Sequence, residues 1–208
     1  MALVKYNNNS ISAVTTTGIP SGSLVPIKTL TASSSETLSF VHGTDGVVLD
    51  STYPIYKFEF INIHPATNGA NFQFQGNASG GSGYNETITS TMFMANHDEG
   101  NTTTQFGYEG GYDLAQGTGF QALQSGGLIG NGNDECLSGQ LTIYNPSSTV
   151  FVKHFIVTTN QYSSYDYSIN SFVAGYFNTT SAIDEIQFKM ASGNIDDGKI
   201  KLYGIKDS

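Results

Sequence analysis

The side chains that could do chemistry are few and scattered. His97-Asp98-Glu99 is the most polar triplet and offers metal ligands. Asn131, Asn133, Asp134 and Glu135 offer the oxygen ligands that calcium takes, although in one local cluster without the spacing of a calcium loop. The adjacent carboxylates Asp134/Glu135, Asp184/Glu185 and Asp196/Asp197 raise the chemistry of a glycosidase, which needs two carboxyl groups flanking one bond. Neighbours on a strand point to opposite faces, so Asp184 and Glu185 cannot converge. Asp196 and Asp197 fall in an expected turn. A cleaving pair would therefore have to come from separate loops, with Asp98, Glu99 and Glu109 as its candidates. The triplet and the calcium-like cluster read as a solvated loop tip and a structural turn. There is no GxSxG elbow, no GxxxxGK[ST] phosphate loop, no HExxH and no zinc-like spacing among His42, His64, His97 and His154. The expectation is a protein without catalytic residues, metal or cofactor.

Tyrosines carry more information. Tyr162, Tyr165 and Tyr167 lie in QYSSYDYSIN, and Tyr108 and Tyr112 lie in GYEGGYD. Tyr mixed with Ser, Asn and Gly makes adaptable contact surfaces, giving large area at small entropic cost. The same chemistry suits sugars, whose faces stack on aromatic rings while amides hydrogen-bond their hydroxyls. Tyr rings at the edge of a β core, with the hydroxyl in water, would look the same in sequence.

The elements that must position these residues are strands. The chain has 208 residues, 38% hydrophobic and 12% charged, with 24 Gly, 12 Tyr and 13 Phe. Gly, Ser, Thr, Asn and aromatics are poor helix formers, whereas aromatic and β-branched runs between turn residues suit short strands. Tyr56, Phe58 and Phe60 alternate with Lys57 and Glu59, the two-residue period of a half-buried strand that Pro65 ends. Phe72/Phe74, Ile186/Phe188/Met190 and Ile200/Leu202 repeat the pattern. Further strands are expected at 24–30, 36–41, 87–95, 139–144, 150–158 and 171–177, with flexible loops at 76–85 and 192–198. Between His97 and Asn133 the periodicity fades into a Gly-, Gln- and Asn-rich stretch, either functional or holding short strands. Nine or ten strands without a helix predict an all-β antiparallel β-sandwich, with a jelly roll as the specific form. Residues 24–208 would form it. Residues 1–23 would be an extended docking arm pinned by Leu3, Val4 and Tyr6.

Charge excludes partners. All eight basic residues are Lys, against 17 acids, for a formal net charge of -9. Nucleic-acid recognition relies on basic patches and bidentate Arg, so no nucleic-acid partner is expected. No apolar run approaches the ~18 residues of a membrane span, and the N-terminal residues lack the apolar core of a signal peptide. Cys136 has no partner for an intrachain disulfide and is expected as a buried thiol.

The order of segments resembles a family of tailed-bacteriophage virion proteins found in phages of marine bacteria, cyanobacteria included. The resemblance rests on VKYNNNSIS, YKFEFINIHPATNGANFQFQGN, GNGNDECLSGQLTIYNPSS and the closing AIDEIQFKMASGNIDDGKIKLYGI. It implies a non-enzymatic structural protein of the virion, a tail-fibre host-attachment component or a head (capsid) decoration. Its implied partners are other capsid or tail proteins, further copies of itself, with a homotrimer as the form common in fibres, and a host surface glycan. It supplies no catalytic residue. Two other readings stand beside it: a carbohydrate-binding module built on the Tyr-rich loops, and a glycan-cleaving enzyme.

Overall fold

Alternating apolar residues need a second layer to bury them, and the arrangement of that layer decides the fold. In the computed structural model, which describes residues 23–125 and 128–207, that layer is a second sheet. The docking arm expected at 1–23, with Leu3, Val4 and Tyr6, lies outside the described residues apart from Ser23. Twelve strands are described, in chain order β1 (Leu24–Thr31), β2 (Thr37–Val41), β3 (Ile55–Pro65), β4 (Phe72–Ala78), β5 (Ile88–Asp98), β6 (Thr104–Tyr108), β7 (Gln121–Ala122), β8 (Leu137–Tyr144), β9 (Lys153–Tyr162), β10 (Tyr167–Phe177), β11 (Ile183–Met190) and β12 (Ile195–Ile205). No helix occurs among the described residues.

Eight strands form one antiparallel sheet in the order β1-β12-β3-β8-β9-β10-β5-β6, and four form the other, β2-β11-β4-β7. This is the expected antiparallel β-sandwich. The finer form, a jelly roll of eight strands in two Greek keys, is not established by twelve strands divided eight and four.

The core is aromatic. Phe58 and Phe60 of β3 and Phe155 of β9 point inward from the large sheet. Phe40 of β2, Phe72 and Phe74 of β4 and Phe188 of β11 answer from the small one, all of them buried. Phe188 packs against Phe40, Phe58, Phe60, Phe72 and Phe74, with ring centroids 5.4–6.3 Å apart. Phe74 lies edge-on to Phe155 at 5.1 Å.

A four-stranded sheet is too narrow to cover eight strands, and the Gln-rich stretch supplies the missing cover. The fully buried Gln75 donates from Nε2 to the carbonyls of Glu86, Thr118 and Gly119, and its Oε1 accepts from the Gly76 N–H. Gln121 accepts from the Ser90 hydroxyl at 2.6 Å and donates to the Tyr112 and Ala122 carbonyls. Gln124 accepts from the Phe72 N–H. From there the chain reaches the large sheet, where the Thr159 hydroxyl donates to the Leu123 carbonyl at 2.7 Å. Buried glutamine amides thus make bonds that a longer β7 would make through its backbone.

Several sequence-based bounds shift. Gly76, Asn77 and Ala78 belong to β4 rather than to the following loop. β9 starts at Lys153, not Val150, and the closing turn is only Ser192–Asn194, because Ile195 already pairs with Pro65. The unread stretch contains β6 and β7. Cys136 is half-buried rather than buried, and burial raises its thiol pKa.

The packing of Phe188 gives a stability prediction. Phe188→Ala should lower unfolding free energy by about 3–5 kcal/mol, the usual cost of truncating a buried Phe. Denaturant unfolding measures it, and a loss below about 1 kcal/mol would show that the two sheets do not depend on this ring.

Candidate functional site

With its inner face buried, the large sheet leaves its outer face uncovered, and register places the outward side chains there. Phe172 of β10 pairs with Phe93 of β5 and Thr158 of β9, and Phe93 in turn pairs with Tyr108 of β6. One step along, Asn170 pairs with Ala95 and Asn160, and Ala95 with Phe106. The Phe93 and Phe172 rings stack at 4.9 Å and 13°, and Phe106 leans on Phe93 at 5.7 Å. Phe106 is 75% exposed, Phe93 39% and Phe172 37%. Three contacting rings held open to solvent on one face form an apolar patch, unlike a singly exposed side chain.

Depressions flank the patch. One of about 370 Å³ is lined by Glu59, Gln140, Thr158, Asn160 and Asn170. Another of about 420 Å³, mostly apolar, is lined by Tyr144, His154, Ile156, Ala174 and Tyr176. The Asn160 amide donates to the Ser168 hydroxyl and the Ile169 carbonyl, and the Asn170 amide donates to the Thr159 carbonyl, which fixes both amide planes.

The expected tyrosines divide. Tyr108 is exposed on β6, its hydroxyl donating to the Asp113 carboxylate, and that hydrogen bond is the main cause that raises the phenol pKa. Tyr112 is half-buried and packs on the core. Tyr162 and Tyr167 are half-buried, and Tyr165 is exposed at the tip of the β9–β10 hairpin. The two Tyr segments do not converge. Tyr162 shares a row with Ser168, His97 and Thr104, four residues along β6 from Tyr108, or about 14 Å at ~3.4 Å per residue.

Around Tyr162 the sequence-distant triplet His97-Asp98-Glu99 does arrive, in a depression of about 280 Å³ with Asn160 and Ser168. Removal from water pushes the Tyr162 phenol up to about 12, helped by the Glu99 and Asp166 carboxylates. Asp98 closes the β5–β6 turn. Its carboxylate accepts from the Thr102 hydroxyl at 2.5 Å and from the Thr102 and Thr103 N–H groups at 2.9 and 2.7 Å. These bonds, the Thr102 hydroxyl first, hold its pKa below the ordinary carboxylate value. Of the glycosidase candidates, Asp98 and Glu99 border this depression and Glu109 stays apart: its N–H bonds to the Met92 carbonyl, six residues along β5 from Asp98. That is about 20 Å, against roughly 5–9.5 Å for carboxyl pairs that cleave glycosides.

The calcium-like cluster sits at another end of the large sheet. Asn133, Asp134, Glu135 and Cys136 border a polar depression of about 410 Å³ with His64, Asp196 and Asp197. Glu135 turns back to accept from the Gly132 N–H, and Asn131 donates from its backbone N–H to Asn68 Oδ1 and from its amide to the Ala66 carbonyl. Among the described residues no group of three or more His, Cys, Asp or Glu is arranged to hold a metal ion. This end closes on a bulge: Gly198 adopts φ +119°, and a Cβ there would stand 2.7 Å from the Asn62 carbonyl oxygen.

Sequence reasoning missed Phe93, Phe106 and Phe172. The signal for Phe93 and Phe172 is that both phases of TMFMANHD and SFVAGYF carry apolar residues, so one apolar set must face away from the core.

Comparison with protein-family profiles, with curated proteins and with solved structures returns no match to this chain.

Asp98 gives a pH prediction. A carboxylate with a lowered folded pKa stabilises the fold above its unfolded value near ~3.9 and loses that contribution as pH falls through the folded value. The Thr102 and Thr103 amide resonances should therefore titrate with a midpoint below ~3.9, and Asp98→Asn should abolish the titration. A midpoint at or above the ordinary value would refute the turn-closing role.

Proposed function

We propose that this protein is a non-enzymatic component of the surface of a bacteriophage particle, either a tail-fibre host-contact protein or a head decoration. It works by contact: the outer face of the large sheet adheres, and residues 1–23 attach the domain to its neighbours in the particle. Copies of the chain assemble with one another on that particle.

The observation that carries this reading is the patch of Phe93, Phe106 and Phe172, three touching rings exposed beside the sheet edge. A solvent-facing apolar patch weakens solubility unless it meets a partner. The acidic composition offsets this, since a net charge of -9 keeps free copies apart before assembly. The sequence resemblance, which covers most of the chain, adds the particle as the setting.

Immunogold electron microscopy of purified phage particles, with an antibody against this chain, tests the proposal. Label over the head is the result for a decoration protein, and label on the tail the result for a fibre. Removal of residues 2–22 should leave the domain folded and eliminate the label. Particles without label would overturn the reading.

A further inference from the structure

Strands β9 and β10 are paired without interruption from Lys153/Phe177 to Tyr162/Ser168. Their outward side chains therefore form two parallel files at about 6.8 Å intervals, twice the ~3.4 Å rise of a strand. β10 presents Tyr176, Phe172 and Asn170; β9 presents Ile156, Thr158 and Asn160. The two larger depressions of the outer face both open onto these files, the apolar one at Tyr176 and Ile156, the polar one at Thr158, Asn160 and Asn170. From Tyr176 to Ser168 the files extend about 27 Å.

We propose that this track binds an extended, uncharged polysaccharide lying along the strands. The inference rests on the outer face being the contact surface of the protein. It adds the ligand class, and it locates the site on β9 and β10 rather than in the Tyr-rich loops.

Three features select that ligand. Aromatic or aliphatic stations alternate with amides and hydroxyls, as a sugar chain alternates C–H faces with hydroxyl edges. The Asn160 and Asn170 amides are pre-oriented by their bonds to the sheet, so binding orders little further. Charge then excludes the acidic alternatives. The one lysine of β9 and β10, Lys153, is turned inward, its ammonium donating to the Phe151 and Thr179 carbonyls at 2.8 and 3.1 Å. Neither β5 nor β6 contains a lysine, while Glu59 and Glu99 stand at the margins of the depressions. Lys57, in the row of Ile156 two strands away, is already engaged by the Glu59 carboxylate at 3.0 Å, which leaves little positive charge to hold a sulfated or uronate polymer.

The test begins with an array of neutral and acidic glycans. Native gel electrophoresis through gels containing dextran, mannan or a β-glucan, and through gels containing alginate, follows. Binding to neutral glycans, with no retardation by alginate, is expected. Phe172→Ala should weaken retention about ten- to hundredfold, by analogy with the stacking of bases on aromatic rings, and Asn160→Ala should weaken it about two- to tenfold through the lost hydrogen bonds. Ala174 is exposed between Phe172 and Tyr176, so Ala174→Arg should block the track while leaving the thermal melt unchanged. No neutral glycan bound, binding to acidic glycans alone, or full retention by both Phe172→Ala and Ala174→Arg would overturn the proposal. So would a face that only self-associates, seen as a mass change on Phe172→Ala without any glycan binding. Particles that carry label while the protein ignores neutral glycans would remove this inference alone. Glycan binding by a protein absent from particles would remove only the particle reading.

Discussion

The ring of Phe188 is the contact through which the two layers hold each other. It meets Phe40, Phe72 and Phe74 within its own sheet and Phe58 and Phe60 across the gap. Aromatic pairs at such edge-on and offset geometries add to the stabilisation from area alone, so the contacts with Phe58 and Phe60 tie the two sheets together while those with Phe40, Phe72 and Phe74 hold the ring in place. Everything else follows from where this cluster lies. It sits under β3 and β4, which leaves the β9, β10 and β5 end of the wide sheet short of a partner. Buried glutamines become structural for that reason: Gln75 of β4, with Gln121 and Gln124 of the irregular stretch, anchors a segment that closes the layer through no more than the two-residue strand β7.

The same imbalance explains the outer face. A sheet eight strands wide is stabilised from below, so its upper surface can carry side chains chosen for contact rather than for burial. β5 and β10 use both of their faces, Met92 and Val173 inward and Phe93 and Phe172 outward. Such doubly apolar strands are common in sheets covered on both sides. Here one side is open, and the exposed rings retain unfulfilled contact area.

Much of the fold was legible in the residues. The alternations at Tyr56–Phe60, Phe72–Phe74 and Ile186–Met190 fix both the strands and their buried phases, because period two leaves no other assignment. The Gln-rich stretch was not legible, since buried amides that replace backbone bonds follow no period. The candidate site was legible only in part. Tyr108 and Tyr162 were visible as aromatic residues among small polar ones, yet their separation depends on the register of β5, β6, β9 and β10. Phe93 and Phe172 become neighbours through a pairing between strands separated by some 80 positions, which no local pattern encodes.

Strand order also bears on how the chain is made. Among the described strands β1 pairs with β12 alone, and β12 stands between β1 and β3. During synthesis, β1 and β3 leave the ribosome early but stay unjoined until the last of the twelve strands has emerged. The backbone groups of β1 and of the β12-facing edge of β3 wait for that strand, whereas the other edge of β3 pairs with β8 and its inward rings meet Phe40 and Phe72 earlier in the chain. Completion of the wide sheet is therefore slowed by the loop closure that such distant pairing requires.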